Sequence, residues 1–144
     1  MLNLETRTIR NITPSNSIQA AIDNASAGDI ISLDGGVYNQ QDINVTKKNL
    51  TIKASGIGGA PIIDGQGQGR GFNVTGAGVT IQDLTITNTK ASGGGSNIGG
   101  GGVYMNGGGS SVVFNRFVNN TDSAMVGNGV KYTGSCNAVN LRFV

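Results

Sequence analysis

The sequence predicts an all-β chain wound as a parallel β-helix, or solenoid, with one short α-helix capping its start, and three observations predict it. Short apolar-polar-apolar bursts recur along most of the chain, corners rich in Gly or Asn separate them, and the bursts repeat at a nearly constant spacing.

Charge and composition narrow the function classes before any motif does. Ten Lys and Arg stand against eight Asp and Glu in 144 residues, a length for one domain spanning 1–144. The cations are Arg7, Arg10, Lys47, Lys48, Lys53, Arg70, Lys90, Arg116, Lys131 and Arg142, too scattered to track a phosphate backbone, so nucleic acid is not an expected partner. Only 12% of residues are charged and 25 are Gly, which suits turns and strands rather than helices. Histidine is absent and Cys136 is the single cysteine, so no disulfide closes within the chain and the commonest zinc ligand and proton carrier is missing. No catalytic residue, cofactor or metal is expected. No apolar run approaches the roughly 20 residues of a membrane span. Met1 to Arg10 lacks the apolar core of a signal peptide, so the chain is either intracellular or exported by a signal that this sequence does not include.

Residues 16–26 carry the cap helix. Ile18, Ala21, Ile22 and Ala25 recur at helical spacing, Asn16 stands as the N-cap with Gln19 three residues on, and Gly28 ends the element. Residues 29–144 then read as β-helix coils. The bursts from Asp29 to Leu33, Ile43 to Val45, Leu50 to Ile52, Phe72 to Val74, Val79 to Ile81, Leu84 to Ile86 and Val103 to Met105 alternate with period two. The corners between them are too short for crossover helices, which excludes a doubly wound α/β sheet.

Repetition sets the register. Ile43-x-Val45 and Leu50-x-Ile52 recur 29 positions on as Phe72-x-Val74 and Val79-x-Ile81. Val103-x-Met105, Val112 and Phe117 stand 31 positions after Phe72-x-Val74, Ile81 and Ile86. Gly129 to Tyr132 and Arg142 to Val144 repeat Gly102 to Met105 and Arg116 to Val118 at shifts of 27 and then 26. Each pass is one coil stacked on the last at about 4.8 Å. Ile52, Ile81 and Val112 should form one internal ladder, and Ile86 with Phe117 another. Asn88 and Asn119 fall at equivalent corners, where a buried amide bonds the corner backbone. The last coil stops at Val144 where its predecessor continues into Asn119-Asn120, so the chain reads as cut within a coil.

These residues resemble a known family. Ser17-Ile-Gln-Ala-Ala-Ile-Asp-Asn-Ala25, Ala27-Gly-Asp-Ile-Ile-Ser-Leu33, Gly36-Val-Tyr38, Lys48-Asn-Leu-Thr-Ile52, Ile63-Asp-Gly65 and Gly78-Val-Thr-Ile-Gln-Asp-Leu-Thr-Ile-Thr-Asn88 are similar to the opening of adhesin-like right-handed parallel β-helix proteins. Gly100-Gly-Gly-Val-Tyr104 and Phe114-Asn-Arg-Phe-Val-Asn-Asn120 are similar to their later coils. Such proteins have the pectate-lyase-like superfold and are abundant on methanogenic archaea, with relatives among bacterial polymorphic surface proteins. The resemblance covers nearly all of the chain after Thr13 and implies right-handed winding and an extracellular or cell-surface location. Its residues are core and corner positions, so it speaks to fold rather than to a site.

The motifs that suggest chemistry have plainer readings. Asn120-Thr121-Asp122-Ser123 is superficially like the Asn-Thr-Asp-Gly of β-helical polygalacturonases, but the adjacent Asp pair, the His and the Arg-Ile-Lys that accompany it there are absent, and a corner is the better reading. Asp23, Asp29, Asp34, Asp42, Asp64, Asp83, Asp122 and Glu5 are spread along the chain rather than gathered as a calcium site requires, and local roles at turns are expected. Gly65-Gln-Gly-Gln-Gly-Arg-Gly71 is not followed by a helix signal, so it is a corner rather than a phosphate cradle, as are Ser92 to Ser96 and Gly99 to Gly102. Lys47-Lys48 reads as a solvated corner and Cys136 as a small packed side chain. Glycosylation sequons begin at Asn11, Asn24, Asn44, Asn49, Asn73 and Asn119, and Asn- and Thr-rich strands also generate such triplets by composition.

The expected function is therefore a non-enzymatic extracellular module, structural or adhesin-like, whose partners are a carbohydrate or a surface protein. Two alternatives are a subunit that stacks end to end into a filament and a fragment of a polysaccharide lyase or glycoside hydrolase.

Overall fold

The computed structural model describes residues 7–91, 101–122, 130–132 and 136–144. In chain order its elements are β1 (Ile9–Ile12), α1 (Ile18–Asp23), β2 (Ile30–Leu33), β3 (Gly36–Tyr38), β4 (Ile43–Val45), β5 (Thr51–Ala54), β6 (Pro61–Asp64), β7 (Phe72–Val74), β8 (Thr80–Gln82), β9 (Thr85–Thr87), β10 (Lys90–Ala91), β11 (Val103–Met105), β12 (Ser111–Val113), β13 (Arg116–Val118), β14 (Thr121–Asp122), β15 (Val130–Tyr132), β16 (Asn137–Val139) and β17 (Arg142–Phe143). From β2 onward the chain visits three sheets in rotation. The first sheet has the order β1-β2-β5-β8-β12-β16, the second β3-β6-β9-β13-β17 and the third β4-β7-β11-β15, with β10 and β14 paired beside them. Every pairing is parallel. The chain is a parallel β-helix with one short N-terminal helix.

The register follows the repeat. Ile43 pairs with Phe72 and Ile52 with Ile81, Phe72 with Val103 and Ile81 with Val112, and Val103 with Val130. Ile31, Ile52, Ile81 and Val112 stack as one buried ladder in the first sheet. Tyr38, Ile63, Ile86 and Phe117 stack as a second, which Phe143 extends with its ring 5.3 Å from that of Phe117. With strands of two to four residues, no coil holds an independent core. Each is stabilised by apolar area buried against its neighbours, about 25 cal/mol per Å².

The corners correct one expectation. Asn88 and Asn119 do stand at equivalent corners, but they are exposed and in left-handed conformation, φ 51° and 54°. The buried corner amides are Asn115 and Asn120, joined by Ser110. Asn115 Oδ1 accepts from Leu84 N at 2.9 Å and its Nδ2 donates to Ile81 O at 2.8 Å. Asn120 repeats this with Thr89 N and Ile86 O, and Ser110 Oγ with Val79 N and Gly76 O. One coil thus satisfies the backbone of the coil before it at three successive corners. Cys136 lies one coil beyond Ser110, buried, with Sγ 3.1 Å from Gly107 O.

The cap helix is shorter than residues 16–26. Ser17 is the N-cap, its Oγ accepting from Ala20 N at 3.1 Å, while Asn16 closes the preceding turn by accepting from Thr13 N. A hydroxyl one residue later wins because it reaches the open amide of the first turn. Ile18 and Ile22 are buried against the first coil. Polar side chains fix the helix there. Gln19 Oε1 accepts from Asn44 N at 2.7 Å and its Nε2 donates to Asn44 O at 3.0 Å, so one amide pairs the outer edge of β4 as a neighbouring strand would. Gln40 accepts from Ile18 N and donates to Asn16 O. Lys47, expected at a solvated corner, donates instead to Asp23 O and Ala25 O and so satisfies carbonyls at the helix C-terminus.

Asp29 ties β1 to this end. Its carboxylate, 1% exposed, accepts from Ser26 N, Thr8 N and Arg10 Nε. The Ser26 amide, with the Thr8 amide and the Arg10 guanidinium, holds the carboxyl below its usual range against the opposing effect of burial. A lowered folded pKa means that this stabilisation is complete above the unfolded value of about 3.9 and is lost as pH falls through the folded value. Melting followed by circular dichroism between neutral and strongly acidic pH should therefore show a steeper acid loss for the native chain than for Asp29→Asn, which should be less stable at neutral pH.

Candidate functional site

In a strand with alternating faces the middle residue of an inward-outward-inward triplet points away from the core. In the third sheet those residues are Asn44, Asn73, Tyr104 and Lys131, aligned across β4, β7, β11 and β15. Their flanking partners Ile43, Val45, Phe72, Val74, Val103 and Met105 are buried. The row advances by about 4.8 Å per strand. At its first end Asn73 Nδ2 donates to Asn44 Oδ1 at 3.2 Å, and Asn44 Nδ2 to Asp42 O. At its other end the Tyr104 ring carries two cations, the Arg70 guanidinium 4.9 Å and the Lys131 ammonium 5.8 Å from its centroid. Burial pulls the Arg70 pKa below its ordinary value, opposed by the charge of Asp42 and by Tyr104. Tyr104 is only 8% exposed beneath these cations, so the surface grades from neutral amides to a cationic end laid over a buried ring, an arrangement that can hydrogen-bond hydroxyls and attract anionic groups.

Beside the first end lies a groove of about 430 Å³ between the turn that precedes α1 and the connection from β3 to β4. Its lining carries no charged side chain. Gln41, on this lining, has a buried Oε1 without a hydrogen-bond partner.

The expected glycosylation residues fall at scattered places. Asn11 is exposed on β1 and donates to Asp34, and Asn24 is the exposed C-cap of α1. Asn49 and Asn119 are exposed at corners with φ of 60° and 54°. Asn44 and Asn73 alone come together, in the outward row. Their burst pattern placed them outward, and Tyr104, 31 positions after Asn73, was open to the same inference; the approach of Arg70 from a corner carries no such signal.

The carboxylates whose side chains are described serve local structure, and that of Asp122 lies outside the description. Asp34 accepts from Ser55 Oγ and Asn11, Asp42 from Arg70 N, Asp64 from Gln66 N and Asn88, Asp83 from Gln82, and Asp23 from Gln19. Among the described residues no three of His, Cys, Asp or Glu gather in a group that would hold a metal ion. Asn120, which opens the polygalacturonase-like motif, is a buried corner amide, while Ser123 and Glu5 lie outside the described residues. The Gly65 to Gly71 segment is a turn leading into β7, with Gln66 and Gly67 at positive φ. Ser92 to Ser96, Gly99 and Gly100 also lie outside the described residues. Among the described residues no helix is long and apolar enough to cross a membrane. In comparisons with known proteins, no family model, no curated protein and no solved structure matches this chain.

Proposed function

We propose that this chain is a non-enzymatic, adhesin-like structural module of the cell surface or extracellular space, which holds a polysaccharide or a surface glycoprotein against the outer face of its third sheet. The observation that carries this reading is the outward row on the third sheet, in which the amides of Asn44 and Asn73 line up with Lys131 beyond the largely buried Tyr104. The resemblance of its core and corner residues to adhesin-like right-handed β-helices supports the location. Head-to-tail stacking into a filament is less favoured, because the incoming coil has to displace α1, with its buried Ile18 and Ile22 and the Gln19 amide on β4.

A sedimentation or surface-binding assay with polygalacturonate and with a neutral glucan tests the reading. Retention of polymer is expected without release of reducing or unsaturated ends. The double variant Asn73→Ala with Lys131→Ala should bind several-fold less, and Thr80→Ala with Ser111→Ala on the first sheet should bind as the native chain does. Steady accumulation of cleaved ends would make the protein a lyase or hydrolase and sink the proposal. Because the cationic end is exposed to salt, polygalacturonate retention should also fall as ionic strength rises.

A further inference from the structure

The groove at the capped end has features that the outer row lacks. Its walls are pre-set. Asn16 Oδ1 is held by Thr13 N at 2.8 Å, Gln40 by Ile18 N and Asn16 O, and Gln19 by both backbone groups of Asn44. Amides committed in this way keep their rotamers and present fixed edges, which reduces the ordering that a ligand must impose. Against them stands one uncommitted group. Gln41 lines the groove, and its Oε1 is the single buried side-chain nitrogen or oxygen among the described residues with no hydrogen-bond partner. The terminal torsion of Gln is broad, so reorienting this amide costs little.

The rest of the lining says what belongs there. Asn39 is exposed at the groove, Ser15 and Ser17 offer hydroxyls, and Pro14 and Ile43 supply the apolar part. With no charged side chain in the lining, an ionic ligand finds no counter-charge, and with amides in the majority an apolar ligand leaves them unpaired. A neutral ligand with hydroxyls around its edge and C–H groups on its face matches both conditions, and the groove lies within the size range of small-molecule sites.

We infer that the groove between the turn before α1 and the β3–β4 connection binds one neutral sugar ring, with Gln41 and Asn39 as the hydrogen-bonding residues. This deepens the carbohydrate-holding reading and rests on it for the ligand class.

The test is titration of ¹⁵N-labelled protein with methyl β-glucopyranoside, methyl β-galactopyranoside and N-acetylglucosamine, with glucuronate and glucosamine as charged controls. The side-chain amide signals of Gln41 and Asn39 should shift with at least one neutral probe, saturating on the order of millimolar. The charged controls should act more weakly. Gln41→Leu should weaken binding about tenfold while leaving the melting temperature unchanged or higher, because it removes an unmatched buried polar atom; a merely structural role predicts a lower one. Asn39→Ala, at an exposed position, gives a second readout that does not depend on Gln41. The inference is overturned if no neutral probe moves these amides, or if both variants bind like the native chain. Polymer retention on the third sheet, measured on the same samples, separates the two failures: retained polymer without groove shifts removes the groove alone, and loss of both removes the reading beneath it.

Discussion

Gly107→Ala should be among the most damaging single substitutions in this chain, costing about 4 kcal/mol and lowering the melting temperature by roughly 10–15 °C. At the corner after the third sheet, Lys47, Gly76 and Gly107 lie one above another in successive coils. A Cβ built on Gly107 falls on the carbonyl oxygen of Gly76, and one built on Gly76 falls on that of Lys47. The obstacle is backbone rather than the end of a flexible side chain, so no rotamer change relieves it. The coils must separate at this corner, which stretches the neighbouring bonds from Asn106 N to Val74 O and from Thr75 N to Val45 O. Thermal melting of Gly107→Ala beside Ala77→Ser, at an exposed position of the same corner one coil earlier, checks this; the control should stay within about 0.5 kcal/mol of the native protein. Equal stability of the two variants would mean that the corner opens at little cost and that the close coil stacking is not a structural requirement.

The repeat that revealed the fold was legible where corners keep a constant length. Shifts of 29, 31, 27 and 26 positions were enough to place Ile43 under Phe72, Phe72 under Val103, Val103 under Val130 and Phe117 under Phe143. The early part of the second sheet was not legible in this way. Val37 pairs with Ile62, and Ile63 with Ile86, across segments whose turns differ in length: Ser55 to Ala60 separates β5 from β6, while Asp83 and Leu84 alone separate β8 from β9. Strand β1 was hidden for another reason. It pairs on one side only, and Ile12 is its sole buried residue, so the alternation that marks a strand is nearly absent.

Side chains that bond across coils were the least legible part of the molecule. Asn88 and Asn119 align, and alignment at a corner predicts burial, yet an exposed corner also favours Asn because it tolerates left-handed φ. Asn115 and Asn120 have no aligned asparagine, since Leu84 and Thr89 occupy those corners one coil earlier, so repetition concealed them. Gln19, Gln40 and Lys47 likewise act at sequence separations of 22 to 25 residues, which local pattern cannot register. The candidate surface divides along the same line. The outward position of Asn44 and Asn73 follows from period two, whereas the groove at Gln41 arises only when the turn before α1 folds against the β3–β4 connection.

Asn115 offers a sharper test of how the coils hold together, because packing and hydrogen bonding can be varied separately there. Leu84, Asn115 and Leu141 each precede the paired residues Thr85, Arg116 and Arg142. Asn115→Leu therefore inserts an apolar side chain of greater size between two leucines and fills the corner, but it leaves Leu84 N and Ile81 O without their partners. Each orphaned buried group costs about 1–3 kcal/mol, so Asn115→Leu should lose about 3 kcal/mol despite the added apolar contact, and Asn115→Ala somewhat more because it also opens a cavity. Asn115→Asp separates donor from acceptor. Its carboxylate keeps the bond from Leu84 N but faces the Ile81 oxygen without a proton to give, and burial raises its folded pKa above the unfolded value. The variant should then be most stable below the unfolded pKa, where the protonated acid donates to Ile81 O, and should lose stability as pH rises through the folded value, opposite in sign to the contribution of Asp29. Chemical denaturation of the three variants across pH reads all of this. If Asn115→Leu matched the native chain, apolar stacking alone would hold this corner, and the pair of bonds from Asn115 would be incidental to stability.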